Sequence, residues 1–352
     1  MDKNPNFSNI LILWYLKNKR NLPWRNTKDP YLIWLSEIIL QQTKIIQGTS
    51  YYLKFAENFK NIFLLAQADE KQILKLWQGL GYYSRARNLH KTAIHITNNL
   101  NGVFPNNYND LKKLKGVGDY TASAIASFCF NLPEATVDGN VYRVLSRYFG
   151  IATPINSTKG IKEFKELAQT LINQEKPGTH NQAIMEFGAL LCKPKKPDCS
   201  ICPLNDSCFA LQKNQIKNLP LKTNKIKIKK RHFNFIVIIN NNHSTYIEQR
   251  INNDIWKNLY QFPLYESQNE IEVHDIINSP IFESLIKTKS YKITKYNQKQ
   301  ITHKLTHQYL YATFWVVNIN TEFKNTINWQ NLSNFALPTL IQNFVDDYKK
   351  GD

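Results

Sequence analysis

Nowhere in the 352 residues does an apolar run reach the roughly 18 needed to cross a bilayer, so the chain is expected to be soluble, with no membrane partner. No small-residue cleavage site follows the short apolar run of MDKNPNFSNILILWYLKNKR. Acids and amides precede that run, which argues against a secretory signal and for a reducing compartment. Internal repeats and strongly low-complexity tracts are also missing. Acidic residues are in deficit: 27 Asp and Glu stand against 45 Lys and Arg, a formal net charge of +18. That balance points to an anionic partner, usually nucleic acid, although Lys, Asn and Ile are abundant along the whole chain, and a genomic composition bias of that kind would supply much of the charge with no partner at all.

What is present suits two domains, split near residues 210 to 230. Residues 7 to 210 read as helices joined by short turns. In 29-DPYLIWLSEIILQQTK-44 an aspartate stands at the N-cap position and a proline at the first helical one. Helical periodicity recurs in 69–81, 84–100, 109–114, 119–130, 140–150, 159–172 and 179–192. The stretch 211-LQKNQIKNLPLKTNKIKIKKRH-232 reads as a basic linker. Beyond it, β-branched and aromatic alternation in 233–240, 244–250 and 301–319 predicts strands, and 270–287 and 338–350 look helical, so the second domain is mixed α and β.

Cysteine is scarce, with five in all, yet four fall in 192-CKPKKPDCSICPLNDSC-208 with C-x6-C-x2-C-x5-C spacing. In a reducing compartment that density argues for a metal centre and not disulfides. Sulfur ligands alone leave zinc and a [4Fe–4S] cluster both open. The lysines at 193, 195 and 196 read as a basic knuckle facing phosphate or as a solvated loop, and Cys129 as a small buried hydrophobe.

In 111-LKKLKGVGDYTASAIA-126, Gly116 and Gly118 bracket one apolar residue between two helices. A turn stripped of side chains lets backbone N–H groups at the next helix start face a phosphate. Asp138 follows Gly118 by 20 residues and stands just before an amphipathic helix, where it would cap and be held anionic. Glu37 emerges among Ile33, Trp34 and Leu40, an apolar face that would desolvate it and raise its affinity for a proton. One carboxyl pushed towards neutral and one held charged lets a single site supply a general acid and an anionic stabiliser.

With these residues in view, the sequence resembles the iron–sulfur branch of the helix–hairpin–helix DNA glycosylases. The resemblance rests on LKGVGDYTA, the VDGNV aspartate and the cysteine cluster. Within the branch, 22-LPWR-25, 36-SEIILQQT-43, 79-GLGYYSRARNL-89 and 181-NQAIMEFGALLC-192 are similar to the adenine-removing members. It implies a mostly α helix–hairpin–helix glycosylase domain holding a [4Fe–4S] cluster (1–211, cluster loop 192–208), a basic linker (212–230) and a smaller α+β Nudix-like domain (231–352). The activity implied is removal of adenine mispaired with 8-oxoguanine or guanine in double-stranded DNA. The protein would be a monomer in a bacterial cytoplasm, at the nucleoid through its DNA.

Carried onto matching positions, Glu37 would protonate the base and then activate water, and Asp138 would stabilise the oxocarbenium-like sugar, with Asn140 and Tyr120 in support. Trp24, Arg25, Leu40 and Gln182 would contact the extruded adenine. Gln42, Thr43 and Tyr82 would wedge into the duplex, while Gly116 and Gly118 would grip phosphate. Cys192, Cys199, Cys202 and Cys208 would hold the cluster. The family's lesion-sensing Phe-Ser-His would fall at 305-LTH-307, which makes Thr306 and His307 expected contacts although Leu305 and Thr306 depart from the pattern. No REUXEE motif of a working Nudix hydrolase occurs after residue 230, so that domain is expected to read and not to hydrolyse. An endonuclease III-type enzyme would carry a nucleophilic lysine where this chain has Tyr120, so strand cleavage is not expected. The rival of another class is a DNA-binding protein whose cluster only staples the fold, with Glu37 in the core and Asp138 as a cap.

Overall fold

Helix start and stop signals account for the first half of the chain. In the computed structural model, which describes residues 6–223, 228–321 and 325–351, the Asp29 carboxylate accepts a hydrogen bond from Tyr31 N at 2.8 Å and opens the Pro30–Leu40 helix. Such a cap stabilises by about 1 kcal/mol. The helix stops four residues short of the predicted Lys44. Gln42 turns left-handed (φ 55°) and Thr43 N closes a turn on Leu40 O at 3.1 Å. From Ile33 to Ile39 every residue is buried, Ser36 and Glu37 included.

The chain divides into two units, residues 1–68 with 84–224 and residues 69–83 with 225–352. The first is helical. One of its cores joins the Phe7–Asn18, Gly139–Phe149, Thr158–Leu171 and Pro177–Leu190 helices through Phe7, Leu11, Val144, Leu145, Phe164 and Phe187, all nearly or fully buried. Chain predicted as linker lies along this unit as far as Thr223: Leu219 O accepts from Arg147 Nε at 3.1 Å, Leu221 O from Ile155 N at 3.0 Å and Thr223 O from Asn156 Nδ2 at 2.6 Å. Residues 224–227 of that stretch lie outside the described residues.

The second unit is α+β. Its sheet is built on a parallel pair, Lys229–Asn240 beside Gln308–Ile319, in register from Lys229 opposite Gln308 to Asn240 opposite Ile319. Tyr291–Lys295 and Ile301–Lys304 pair antiparallel with the second of these strands, and Leu264–Ser267 with the first. In place of the predicted alternation, the central strands are buried almost continuously, because both sheet faces are covered. Ile236, Ile238, Trp315 and Val317 pack on Ile276 and Phe282. On the other side Phe314 stacks on Phe235 and on Phe344 of the Thr339–Gly351 helix, ring centroids 5.1 and 4.0 Å apart. The helix predicted over 270–287 is two, Val273–Ile277 and Pro280–Leu285, since Ser279 caps and Pro280 restarts it.

Residues 69–83 join this unit, which nothing local in the sequence announces. Lys75 Nζ donates to Phe335 O at 3.0 Å and Gln78 Nε2 to Gln342 Oε1 at 2.8 Å. The helix there, Glu70–Leu76, ends before the predicted residue 81 because the chain turns through Gly79 and Gly81 at φ 96° and 70°.

Candidate active site

Two helices of the first unit each turn one face to the same cleft. Ile33, Ser36, Glu37 and Leu40 stand at i, i+3, i+4 and i+7 of one helix, and Gln182, Met185, Glu186 and Ala189 at the same spacing on the Pro177–Leu190 helix. Asp138 and Asn140 enter from the start of the Gly139–Phe149 helix, and Tyr120 from the first turn of the Asp119–Phe130 helix. The cleft has a volume of about 210 Å³, against about 10–15 Å³ for one water on the same measure, so it admits a ligand of nucleobase bulk.

Glu37 sits deep in it, 7% exposed. Burial pushes its carboxyl up to about 7 and the neighbouring Asp138 adds to the rise, while a hydrogen bond from Tyr120 and the charge of Arg25 pull the other way. The Tyr120 hydroxyl also reaches Met185 Sδ at 3.8 Å, and its own proton is held well above the usual phenol range by burial and by the two carboxyls. Tyr120 is therefore a hydrogen-bond donor at neutral pH.

Asp138 caps its helix as predicted, its Oδ1 accepting from Asn140 N at 2.9 Å and Val141 N at 2.8 Å and its Oδ2 from Asn140 Nδ2 at 2.7 Å. Its electrostatics oppose one another. These bonds and Arg143 favour the anion, but burial outweighs them and the carboxyl stands above its ordinary value. Gly188 makes this packing feasible, since a Cβ there would come within 2.7 Å of the Asn140 Cβ.

Arg143 ties the aspartate to the cysteine loop. Its Nη2 donates to Asn140 Oδ1 at 2.8 Å and Gly188 O at 2.7 Å, and its Nε to Cys192 O at 2.7 Å. The residue is 8% exposed, so truncation would strand the buried Gly188 O and the partly buried acceptors of Asn140, Cys192 and Gly139. Arg143→Ala should lower the unfolding free energy by about 3 kcal/mol or more; a denaturant melt showing a loss below about 1 kcal/mol would contradict this account.

Trp24, Arg25, Leu40, Thr43 and Gln182 all line the cleft. Trp24 is buried edge-on against Tyr52, ring centroids 5.3 Å apart. Gln182 Oε1 accepts from the Tyr15 hydroxyl at 2.5 Å, an arrangement that turns its amide nitrogen elsewhere. Arg25 meets Glu186 through both terminal guanidinium nitrogens at 2.9 and 2.8 Å, and Arg20 grips the same carboxylate at 2.8 and 2.6 Å. The two arginines hold the Glu186 carboxyl down at about 2 despite its burial. Sequence reasoning missed Tyr15, Arg20 and Glu186. Glu186 had a signal, standing four residues after Gln182 on one helix face; Arg20 and Tyr15 had none.

Gly116 and Gly118 differ. Gly116 needs its freedom, at φ 80°. Gly118 is extended, and a Cβ there would meet nothing, so no internal contact requires glycine. Gln42, left-handed after the Pro30–Leu40 helix, does not line the cleft. Tyr82, Thr306 and His307 belong to the second unit. Tyr82 is 46% exposed at φ 48°, and its hydroxyl lies 2.5 Å from Thr306 Oγ1, in the turn between two strands where His307 is exposed.

Cys192, Cys199, Cys202 and Cys208 together line a second, apolar cavity with Val144, Leu191 and Leu204. Arg147 Nη1 donates towards Cys192 Sγ at 3.4 Å. Burial raises the Cys199, Cys202 and Cys208 thiols, Cys202 to about 11, and each thiol opposes ionisation of the others. A gathered thiol set in which Cys199, Cys202 and Cys208 resist ionisation on their own fits a cationic iron–sulfur group, whose charge would offset theirs. Among the described residues no three His, Cys, Asp or Glu side chains gather as ligands of a single metal ion, and no helix is long and apolar enough to cross a membrane. Cys129 stands apart, its thiol pushed up to about 12 by burial.

Comparison with known proteins bears on both units. Family models match for HhH-GPD superfamily base excision DNA repair protein at residues 35–172, the iron-sulfur binding domain of endonuclease III at 192–208 and the NUDIX domain at 234–347. Adenine DNA glycosylases of Buchnera aphidicola are similar over almost their whole length. That of subspecies Baizongia pistaciae is 37% identical, covering 98% of this chain and 97% of the relative, and that of subspecies Acyrthosiphon pisum is 33% identical, covering 98% of each. The adenine DNA glycosylase of Homo sapiens is 39% identical over 60% of this chain and 41% of its own. Among solved structures, a thermostable thymine-DNA glycosylase superposes with a TM-score of 0.55 at 32% identity, covering 59% of this chain and 95% of that one. A non-covalent endonuclease III–DNA complex, at a TM-score of 0.52, 21% identity and 59% and 94% coverage, shares the fold.

Proposed function

Because the chain belongs to the adenine DNA glycosylases, we propose that it releases adenine mispaired with 8-oxoguanine or guanine in double-stranded DNA, leaving the strand uncut. The carrying observation is Glu37, a carboxyl buried in a nucleobase-sized cleft and pushed up to about 7 beside Asp138. The glycosidic bond of a stacked base is out of reach, so the adenine is flipped into the cleft. Glu37 then protonates its N7, which turns a poor leaving group into a neutral one, and afterwards activates water. As the bond breaks, positive charge grows on the sugar beside Asp138. The Asp138 carboxylate beside it stabilises the oxocarbenium-like state, the more strongly because water is excluded from the cleft. Asn140, bonded to Asp138 Oδ2, fixes its angle, and Tyr120 orients Glu37. Trp24, Arg25, Leu40 and Gln182 hold the base.

A bifunctional enzyme needs an amine to trap the sugar. Here position 120 is a tyrosine that holds its proton, and the cations lining the cleft, Arg20 and Arg25, are occupied by Glu186. Reading of the opposite base is assigned to Gln42 and Thr43, and to Tyr82, Thr306 and His307, the Tyr82 and Thr306 hydroxyls forming one polar edge. Gly116 and Gly118 grip the backbone, and open space around Gly118 supports close approach of a phosphate there. The functional partition is 1–211 for catalysis, 212–230 as linker and 231–352 for recognition without hydrolysis, in a monomer that works in the bacterial cytoplasm at the nucleoid.

The four cysteines would hold a [4Fe–4S] cluster, which when bound supplies iron–thiolate bonds tying residues 192–208 into one knot. Iron, sulfide and visible absorption in the purified protein are expected; a colourless protein carrying zinc would remove this assignment. The activity is tested on duplexes with adenine opposite 8-oxoguanine, guanine or thymine, with and without alkali. Base release strongest opposite 8-oxoguanine, with strand breaks only after alkali, is expected. Strand cleavage without alkali would sink the uncut-strand reading, and release indifferent to the opposite base would sink the assigned specificity.

A further inference from the structure

Beside the glycine hairpin, four side chains that base removal does not use come together. Asp119, the first residue of its helix, accepts from the Tyr108 hydroxyl at 2.5 Å and pairs with Lys112 Nζ at 2.6 Å, with Lys165 Nζ at 3.6 Å. Lys165 Nζ also donates to the Tyr108 hydroxyl at 2.8 Å. Both ammonium groups lie over the Tyr108 ring, Lys112 at 5.9 Å and Lys165 at 5.0 Å from its centroid. Three segments meet here: the Tyr108–Lys113 helix that enters the hairpin, the helix that leaves it, and the Thr158–Leu171 helix.

An acid at a helix start is favoured by the helix dipole alone, but that does not call for a lysine brought in from 46 residues away. Two ammonium groups carry three N–H donors each, more than one carboxylate and one phenol can take, and one negative charge does not cancel two positive ones. The side chains of Lys112, Lys165 and Asp119 are 50, 44 and 54% exposed, so the surplus charge and donors are open to an approaching anion. Asp119 keeps the two lysines gathered, and its carboxyl is held down at about 2 by Lys112 and Tyr108, so it stays charged throughout the neutral range.

We propose that Lys112, Lys165 and Tyr108 form a second phosphate-holding site for the DNA backbone beside the hairpin, with Asp119 as a built-in counter-ion that pre-assembles the lysines and moderates their pull on DNA. The proposal rests on the reading that the hairpin faces DNA. Lysines that neutralise phosphate contribute about 0.9 each to the slope of log affinity against log salt on duplex DNA and carry no base preference.

The test uses the full-length protein and a fully paired duplex beside one holding an A:8-oxoguanine mispair, with affinities measured by fluorescence anisotropy across salt concentrations. Lys112→Gln with Lys165→Gln should make the slope shallower by about 2 and weaken both duplexes equally. Lys112→Arg with Lys165→Arg, which keeps the charge, should retain the wild-type slope. Asp119→Asn, which removes one like charge near the phosphate, should tighten binding about threefold at low salt. A double glutamine variant with the wild-type slope would overturn the proposal, as would a folded Asp119→Asn protein that binds more weakly than wild type. If the wild-type protein itself bound duplex without salt dependence, the hairpin reading would fall first.

Discussion

Asp138→Asn should abolish adenine release, by about a thousandfold or more in single turnover, while the protein stays folded and still binds its duplex. The expectation follows from separating the two duties of one side chain. As a cap, asparagine replaces aspartate well, because its carbonyl oxygen can take the bonds that Asp138 Oδ1 accepts from Asn140 N and Val141 N. As an electrostatic partner it fails. A neutral amide cannot offset a growing cation in a water-excluded cleft, where a single removed stabilising group costs about 10²–10³ in rate and an ion more. The amide nitrogen would also face Asn140 Nδ2, donor against donor, at the position of the present 2.7 Å bond. Release within tenfold of wild type would reduce Asp138 to a cap and overturn its catalytic assignment.

Much of the cleft was legible because its helices obey local rules. The Asp29–Pro30 start and the apolar neighbours of Glu37 announced a buried carboxyl, and VDGNV announced a capping one. What escaped depends on distance along the chain. Glu186 meets Arg20 from 166 residues away and Tyr15 meets Gln182 from 167, so no window of sequence contains either pair. The upward push on the Asp138 carboxyl escaped for a related reason. Cap bonds can be read locally, whereas burial is set by helices that arrive from elsewhere, and burial dominates. The same limit hid the attachment of residues 69–83 to the second unit, which runs through Lys75 and Gln78 to partners some 260 residues on. In the sheet, alternation predicted strands correctly but not their burial on both faces, because the covering Phe344 belongs to the far C-terminal helix.

Glu37→Gln is expected to produce the other large effect, a loss of about a thousandfold or more in base release together with the disappearance of one limb of the pH profile. A general acid must be protonated to act, and with the Glu37 carboxyl at about 7 the wild-type rate should fall tenfold per pH unit above that value. Glutamine cannot transfer the proton, so what activity remains should not show that limb. Stability should move in the opposite direction. The carboxyl binds its proton more tightly in the folded chain than in the unfolded one, near 4.5, so folding gains from the proton fully below that range and loses the gain as pH rises through about 7. Above pH 8 the difference amounts to about 3 kcal/mol, which glutamine, with no charge to bury, does not lose. Melting wild type and Glu37→Gln at pH 5 and pH 8.5 therefore separates the roles. A variant that gains stability relative to wild type at the higher pH while losing base release marks Glu37 as an acid held in the cleft at a cost to the fold. A variant equally affected at both pH values would show the carboxyl to be ordinary and its catalytic assignment wrong.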